Sequence, residues 1–179
     1  MKGKVSSGWD MGLDYEKTKR VLVEKIKELR GKRGARARRA LAYCVTLLFQ
    51  LRNGSRVSEA VDAVKQWVMT KKKEVEVAVR KHRNNPETRK MVVPEELKED
   101  VRLDVASVLG ELKVANVKVY ARSALGFNTH SLRYARITHL AKKGVSPSLI
   151  AKITHHRRLD YVLRYTEQKA ADEINREID

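Results

Sequence analysis

Apolar positions follow two different periods along this chain. From Asp14 to about Arg30, the residues Leu13, Val21, Val23, Ile26 and Leu29 supply apolar positions for a helix, and Asp14 stands where an N-cap is needed. Gly31 and Gly34 break that helix. A second helix is predicted over about 37–51, where Leu41, Ala42, Val45, Leu47, Leu48, Phe49 and Leu51 cover nearly every face. A helix apolar all round belongs in the centre of a core. Asn53-Gly54 ends it, and Ser55 is the expected cap of a third helix running to about Trp67, with Ser58 and Glu59 in its first turn. Arg56 sits at the start of that helix, where the helix dipole disfavours a cation. A residue that breaks a local rule in this way points to function.

The period then becomes two. Glu74-Val75-Glu76-Val77-Ala78-Val79-Arg80 alternates as a half-buried strand does. After a turn over 82–88 containing Asn84-Asn85-Pro86, the residues Arg89 to Val93 make a second strand that Pro94 ends. Together they predict a β-hairpin with a basic tip, and Trp67-Val68-Met69 are a candidate third strand. Helical spacing returns at Pro94-Glu95-Glu96 and continues to about Leu112. The piece over 114–127 reads as less regular. A helix over 129–143 follows, stopped by Gly144, with Leu132, Ile137 and Leu140 toward the core and His130 and Arg133 facing elsewhere. Ser146-Pro147 opens another helix through Leu149, Ile150 and Ile153, and a final helix is predicted over about 162–178. The fold class is α+β and mainly helical, with a small antiparallel hairpin or three-stranded sheet. The expected organisation is a lead-in over 1–13 and one domain over 14–179.

Charge sharpens this picture. The chain has 179 residues, 39 of them Lys or Arg against 22 Asp or Glu, for a net charge of +17. That excess predicts a polyanionic partner, nucleic acid before an anionic membrane, because Lys and Arg displace the counterions condensed on phosphate. No apolar run approaches the ~20 residues of a spanning helix, and residues 1–12 have no apolar core of a secretory signal. Cys44, the only cysteine, lies in an apolar run, and the five histidines do not form a ligand set such as HExxH. A reducing, cytoplasmic setting is expected. Lys32, Arg33, Arg36, Arg38 and Arg39 form a run without an acid and are candidate phosphate-backbone contacts, as is Arg136. Residues 166–179 reverse the sign, with Glu167, Asp172, Glu173, Glu177 and Asp179 against Lys169 and Arg176. Ala170, Ala171, Ile174 and Ile178 give that tail an apolar stripe suited to packing on its own domain or a neighbour.

The candidate chemistry gathers in residues 130–165. His130 and Arg133 are three apart and share a helical face, His156 follows, and Tyr165 comes nine residues after it. Arginine, histidine and tyrosine are the groups needed to hold a phosphodiester and attack it without a metal.

Arg56 within Arg56-Val57-Ser58-Glu59-Ala60, Lys81 at a strand end, His130-x-x-Arg133, His156 and Tyr165 together resemble the catalytic domain of the tyrosine recombinases, or phage-type integrases. The order agrees, and so do the spacings: 25 residues from Arg56 to Lys81, 26 from His130 to His156, nine from His156 to Tyr165. The resemblance covers about residues 14–175, and the highly charged composition suggests members carried by archaeal plasmids or viruses. Where the family usually has Gly-Leu-Arg, this chain has Gly54-Ser55-Arg56; where it usually has Leu-Gly-His, this chain has Thr154-His155-His156. His155 is thus a rival to His156, and the nine-residue spacing favours His156. Tyr161 is a rival nucleophile, and Lys73, Arg80 and Lys90 are neighbours of Lys81.

The resemblance implies double-stranded DNA as partner, a 3′-phosphotyrosine intermediate, no cofactor, and a tetramer on two duplexes formed from chains that are monomeric when free. It also implies an N-terminal DNA-clamping domain that is not found here, so a catalytic fragment or minimal member is expected. A covalent phosphotyrosine splits one hard step into two and keeps the bond energy. In that scheme Arg56 and Arg133 clamp the non-bridging oxygens, His130 is the base for Tyr165, His156 donates to the phosphate, and Lys81 protonates the leaving 5′-oxygen. Glu59 orients an arginine or supports the fold. Two alternatives share parts of this pattern: a type IB topoisomerase, with the same covalent chemistry, and a helix-turn-helix DNA-binding module over 145–156.

Overall fold

The computed structural model describes residues 12–79 and 87–156, together with 160, 167, 171, 172 and 174–178. Helix α2 (Ala35–Asn53) runs through the middle, as its all-round apolar surface requires, with Leu41, Cys44, Val45, Leu47, Leu48, Phe49 and Leu51 buried. Around it pack α1 (Tyr15–Leu29), α3 (Val57–Thr70), α4 (Glu99–Ala106), α5 (Val114–Ala124) and α6 (Thr129–Lys142). Asp14 caps α1 as predicted, its carboxylate accepting from the Lys17 amide at 2.8 Å. The Cys44 thiol is wholly interior. Burial pushes its pKa up to about 11, against the opposing hydrogen bond to the Tyr120 hydroxyl.

Strands β1 (Glu74–Ala78) and β2 (Thr88–Val92) form a two-stranded antiparallel sheet with Val75 opposite Met91 and Val77 opposite Arg89. These four side chains face inward. Trp67-Val68-Met69 is not a third strand: it continues α3, where Trp67 and Val68 are buried and the Trp67 ring packs 5.7 Å from Phe49. A three-residue apolar run looks the same on a strand and on the buried face of a helix.

Three other expectations change. Ser55 does not cap α3. Arg56 does, in extended conformation, and its backbone N–H donates to Glu59 Oε2 at 3.0 Å. The predicted helix over 94–112 is shorter. A turn closed by the Leu97 amide on the Pro94 carbonyl precedes α4, and a 3-10 turn at Leu109–Glu111 follows it, with Gly110 inside. Glu99 and Asp100 then supply the acidic first turn. Most of the stretch over 114–127 is helical, as α5 over Val114–Ala124. It buries only Val117 and Ala121 within the helix, too few to print a clear period.

Helix α7 (Pro147–Thr154) stands apart from the main core. It packs chiefly on α6 through a separate cluster of Tyr134, Ile137, Leu140, Ile150 and Ala151. No helix among the described residues is long and apolar enough to cross a membrane.

Candidate active site

The C-terminal end of α2, the first turn of α3, the first half of α6 and the end of α7 converge on one place. Gly54 allows the convergence. It ends α2 at φ +58°, and a Cβ there would lie 2.9 Å from Thr154 Cγ2 and 3.2 Å from Arg136 Cγ. Gln50 ties α2 to α6, its Nε2 donating to the Thr129 carbonyl at 2.8 Å and to the Ser55 carbonyl at 3.2 Å. Asn128 caps α6 by accepting from the Ser131 amide at 2.9 Å.

Onto this frame the sequence places Arg56, Arg133 and His156. Glu59, 0% exposed, is the organising carboxylate. Its Oε1 accepts from Arg56 Nη1 at 2.7 Å and its Oε2 accepts from Arg89 Nη1 at 3.1 Å. Burial pushes the carboxyl pKa up, but the hydrogen bonds from Arg56 and the charge of Arg89 outweigh it, so the group sits below its ordinary value. Glu59 therefore orients an arginine and supports the fold, as the sequence suggested.

Arg133 does not face away from the protein interior as predicted. It is only 2% exposed, and its Nη1 is buried with no hydrogen-bond partner among the described residues. Burial, followed by the nearby Arg56 charge, lowers its pKa to about 10. Its Nε donates to His156 Nε2 at 3.3 Å. The Thr154 hydroxyl gives its hydrogen to the Ile150 carbonyl at 2.7 Å, so toward His156 Nδ1, also at 2.7 Å, it acts as acceptor. That places the imidazole proton on Nδ1 and points the Nε2 lone pair at Arg133. The 3.1 Å approach of Arg133 Nη2 to His156 Nδ1 then joins two donors and is no hydrogen bond. Burial, then the charges of Arg133 and Arg56, push the His156 pKa down to about 3. The ring is neutral wherever the protein is folded near neutral pH.

His130, on the first turn of α6, is exposed and lies edge-on to Tyr134 at 5.1 Å. Of the two adjacent histidines, His156 meets Arg133. His155 takes a left-handed conformation at φ +54° to end α7. Lys81 and Tyr165, like Tyr161 and Arg80, lie outside the described residues.

Comparison with known proteins adds the family. The chain is 36% identical over 178 residues to a protein of Acidianus two-tailed virus named "Putative integrase ORF241", covering 99% of this chain and 71% of the viral one. The chain belongs to this integrase family. It is also 28% identical to "Putative integrase V10" of Sputnik virophage over 206 residues, covering 96% of this chain and 90% of that one. A Methanocaldococcus jannaschii protein named "Uncharacterized protein MJ0770" is 32% identical over 202 residues, covering 98% and 91%. No family model matches the chain, and no solved structure matches it.

In this integrase-family chain, the residues that sequence reasoning missed are Arg89 and Thr154. Arg89 could have been found from the strand period: it stands two residues before Met91, on the hairpin's inward face, where a charge is out of place. Thr154 left no such signal, since a buried threonine near a helix end is common.

The proposed backbone contacts divide. Arg33 and Arg36 are exposed. Lys32 pairs with Glu28 at 3.3 Å, Arg39 with Glu111 at 2.7 Å, and Arg38 donates to Ser107 at 3.4 Å. Arg136 is half-buried, its guanidinium 5.3 Å over the Tyr15 ring. His139 is half-buried and stacked on the same Tyr15 ring at 4.0 Å.

Proposed function

We propose that this integrase-family chain cuts and rejoins DNA as a tyrosine-type site-specific recombinase, with Arg56, Arg133 and His156 holding the scissile phosphodiester. The observation that carries this reading is the buried Arg133 Nη1, which has no hydrogen-bond partner among the described residues. It stands near Arg56 and Arg89, which both bond the carboxylate of Glu59, while Arg133 feels that negative charge without a bond to it. A buried donor of this kind costs stability unless an acceptor arrives, and the excess positive charge selects an anion. A phosphodiester offers two non-bridging oxygens, which suits two forked cations. The net charge of +17 supports duplex DNA as its source.

In this reading the Tyr165 oxygen attacks phosphorus and its proton passes to His130. The Tyr–O–P bond forms on the 3′ side, the P–O5′ bond breaks, and Lys81 gives its proton to the leaving 5′-oxygen. Rejoining is the reverse, by the 5′-hydroxyl of another strand. His156 turns its Nε2 from acceptor to donor as the anion arrives, by taking up a proton or exchanging tautomer. The working assembly is a homotetramer on two duplexes, formed from free monomers and acting on nucleoid or mobile-element DNA. The corner with Lys32, Arg33, Arg36, Arg38 and Arg39 is a second backbone contact, and Arg136, beside Gly54, is a contact next to the clamp. Arg38 lies about 22 Å along α2 from Asn53 at 1.5 Å per residue, which is roughly the rise of six base pairs.

The test is a nicked suicide substrate that traps the covalent intermediate. The wild type should form a protein–DNA adduct and Tyr165→Phe should form none. A wild type that never forms the adduct sinks the covalent mechanism, and an adduct with Tyr165→Phe moves the nucleophile, with Tyr161 next in line. Holliday junctions on paired sites then separate recombination from topoisomerase-type relaxation.

A further inference from the structure

We propose that Arg89 is a positioning residue that sets the spacing between the Arg56 end and the His156 end of the phosphate clamp. The proposal rests on the functional reading above and extends it to a residue outside the six proposed catalytic positions. Arg89 projects from β2 into the interior and is 3% exposed. Its Nη1 donates to Glu59 Oε2 at 3.1 Å, and the same carboxylate holds Arg56. Its Nη2 donates to the Asn53 carbonyl at 2.7 Å and to the Ile153 carbonyl at 2.9 Å. Asn53 is the last residue of α2 and Ile153 lies in the last turn of α7.

One planar group thus joins three pieces. It meets the carboxylate that fixes Arg56 and the carbonyl ends of two helices, where backbone acceptors lack intrahelical partners and the dipole favours a cation. The connection matters because α7 packs on its own small cluster and not in the main core. Among the described residues, Arg89 and the Gly54–Thr154 approach fasten the end of α7 to the α2–α3 corner, while the Arg133–His156 bond ties it to α6. Ile153 immediately precedes Thr154, the residue that orients His156. A shift of α7 therefore moves His156 relative to Arg56. Asn53 fixes the base of the strut: its side chain bonds the Val92 amide at 2.8 Å and the Val92 carbonyl at 2.9 Å, locking β2 to α2. Lysine cannot replace Arg89 in this role, because a point charge lacks the fork that reaches three acceptors in one plane.

Two variants test this: Arg89→Lys, and Arg89→Met combined with Glu59→Gln, the latter read against Glu59→Gln alone because the same carboxylate holds Arg56. Both are studied well below their melting temperatures, in the full chain. In the free protein, the imidazole nitrogen resonances of His156 are followed by NMR. With DNA, single-turnover adduct formation on the suicide substrate is measured separately from DNA affinity. Adduct formation should slow on the order of 100-fold, as for a displacement of about 1 Å in a reacting geometry. DNA affinity in Arg89→Lys should change less than about threefold, because no cation is lost. The His156 resonances should shift in Arg89→Lys, which keeps the charge that acts on the ring. A strut that only stabilises the fold would lower the melting temperature and leave both readouts as in the wild type. Adduct formation within about threefold of wild type, far short of the displacement penalty, overturns the proposal. So do unchanged His156 resonances. If the wild type forms no adduct, the recombinase reading fails by itself, and the His156 resonances alone then decide whether Arg89 sets the spacing.

Discussion

Replacing Glu59 by glutamine removes one charge and changes almost no volume, so it isolates the electrostatics of the arginine cluster. The carboxylate is fully buried and bonded to Arg56 at 2.7 Å and to Arg89 at 3.1 Å. With glutamine, one arginine still finds a carbonyl oxygen, while the other faces an amide N–H. Breaking one side of a buried ion pair costs roughly 3–5 kcal/mol, because the remaining charge is left without compensation. Against a total stability of about 5–15 kcal/mol, the variant is still folded but clearly weakened. For a chain of this length that loss lowers the melting temperature by roughly 6–20 °C. Urea unfolding followed by tryptophan fluorescence measures it, with Trp67 buried against Phe49 as the reporter. The acid range gives a second, independent check. The Glu59 carboxyl is held below its ordinary value, so its contribution is complete above the unfolded pKa of about 4.3 and is lost as pH falls through the folded value. The difference between wild type and Glu59→Gln must therefore narrow below about pH 4. A loss under about 1 kcal/mol at pH 7 would show that the cluster is solvated like a surface pair. A difference that does not vary between about pH 7 and pH 3 would refute the linkage argument.

Gly54→Ala should destabilise the chain by roughly 1–3 kcal/mol, because it combines a left-handed backbone with a Cβ 2.9 Å from Thr154 Cγ2; urea unfolding checks it, and an unchanged midpoint would refute the close packing of α7 on the α2 corner. His156 should not titrate above about pH 5 in the free protein by NMR, given its pKa of about 3. Between the unfolded value of about 6.5 and that folded value, the unfolded chain takes up a proton the folded one does not, so stability falls by about 1.4 kcal/mol per pH unit as pH drops. His156→Asn should lose that part of the slope between about pH 6 and pH 5, and an unchanged slope would mean that the ring is already charged.

The residues proposed to meet DNA were legible in the sequence, as was Glu59, whereas Arg89 and Thr154 were not. Arg56 stood out because a cation at a helix start contradicts the helix dipole, and the structure shows how the conflict is resolved: Glu59, three residues on, takes both its backbone N–H and its guanidinium. His130-x-x-Arg133 could be placed on one helix from spacing alone. Its burial could not, because a buried arginine is indistinguishable in sequence from an exposed one until its partners are known. The same limit explains α5, whose two buried positions carry little period, and Trp67-Val68-Met69, whose apolar run fits either helix or strand.

Arg89 is the instructive case. The strand alternation already placed it inward, level with Val77 and beside Met91 on the same face. Pattern reading counts such a residue as an interruption, since each strand position is judged by polarity. A buried guanidinium needs a carboxylate and several carbonyls around it, and the sequence supplies an acid already read as a partner for an arginine, Glu59, in the first turn of a helix that starts with a misplaced arginine. Joining those two anomalies would have predicted the Arg56–Glu59–Arg89 network before any coordinates, because each residue accounts for the breach of local preference made by the other. A charge that breaks the pattern inside an element is thus best read together with the next charge that does, since an interior accepts them only in compensating sets.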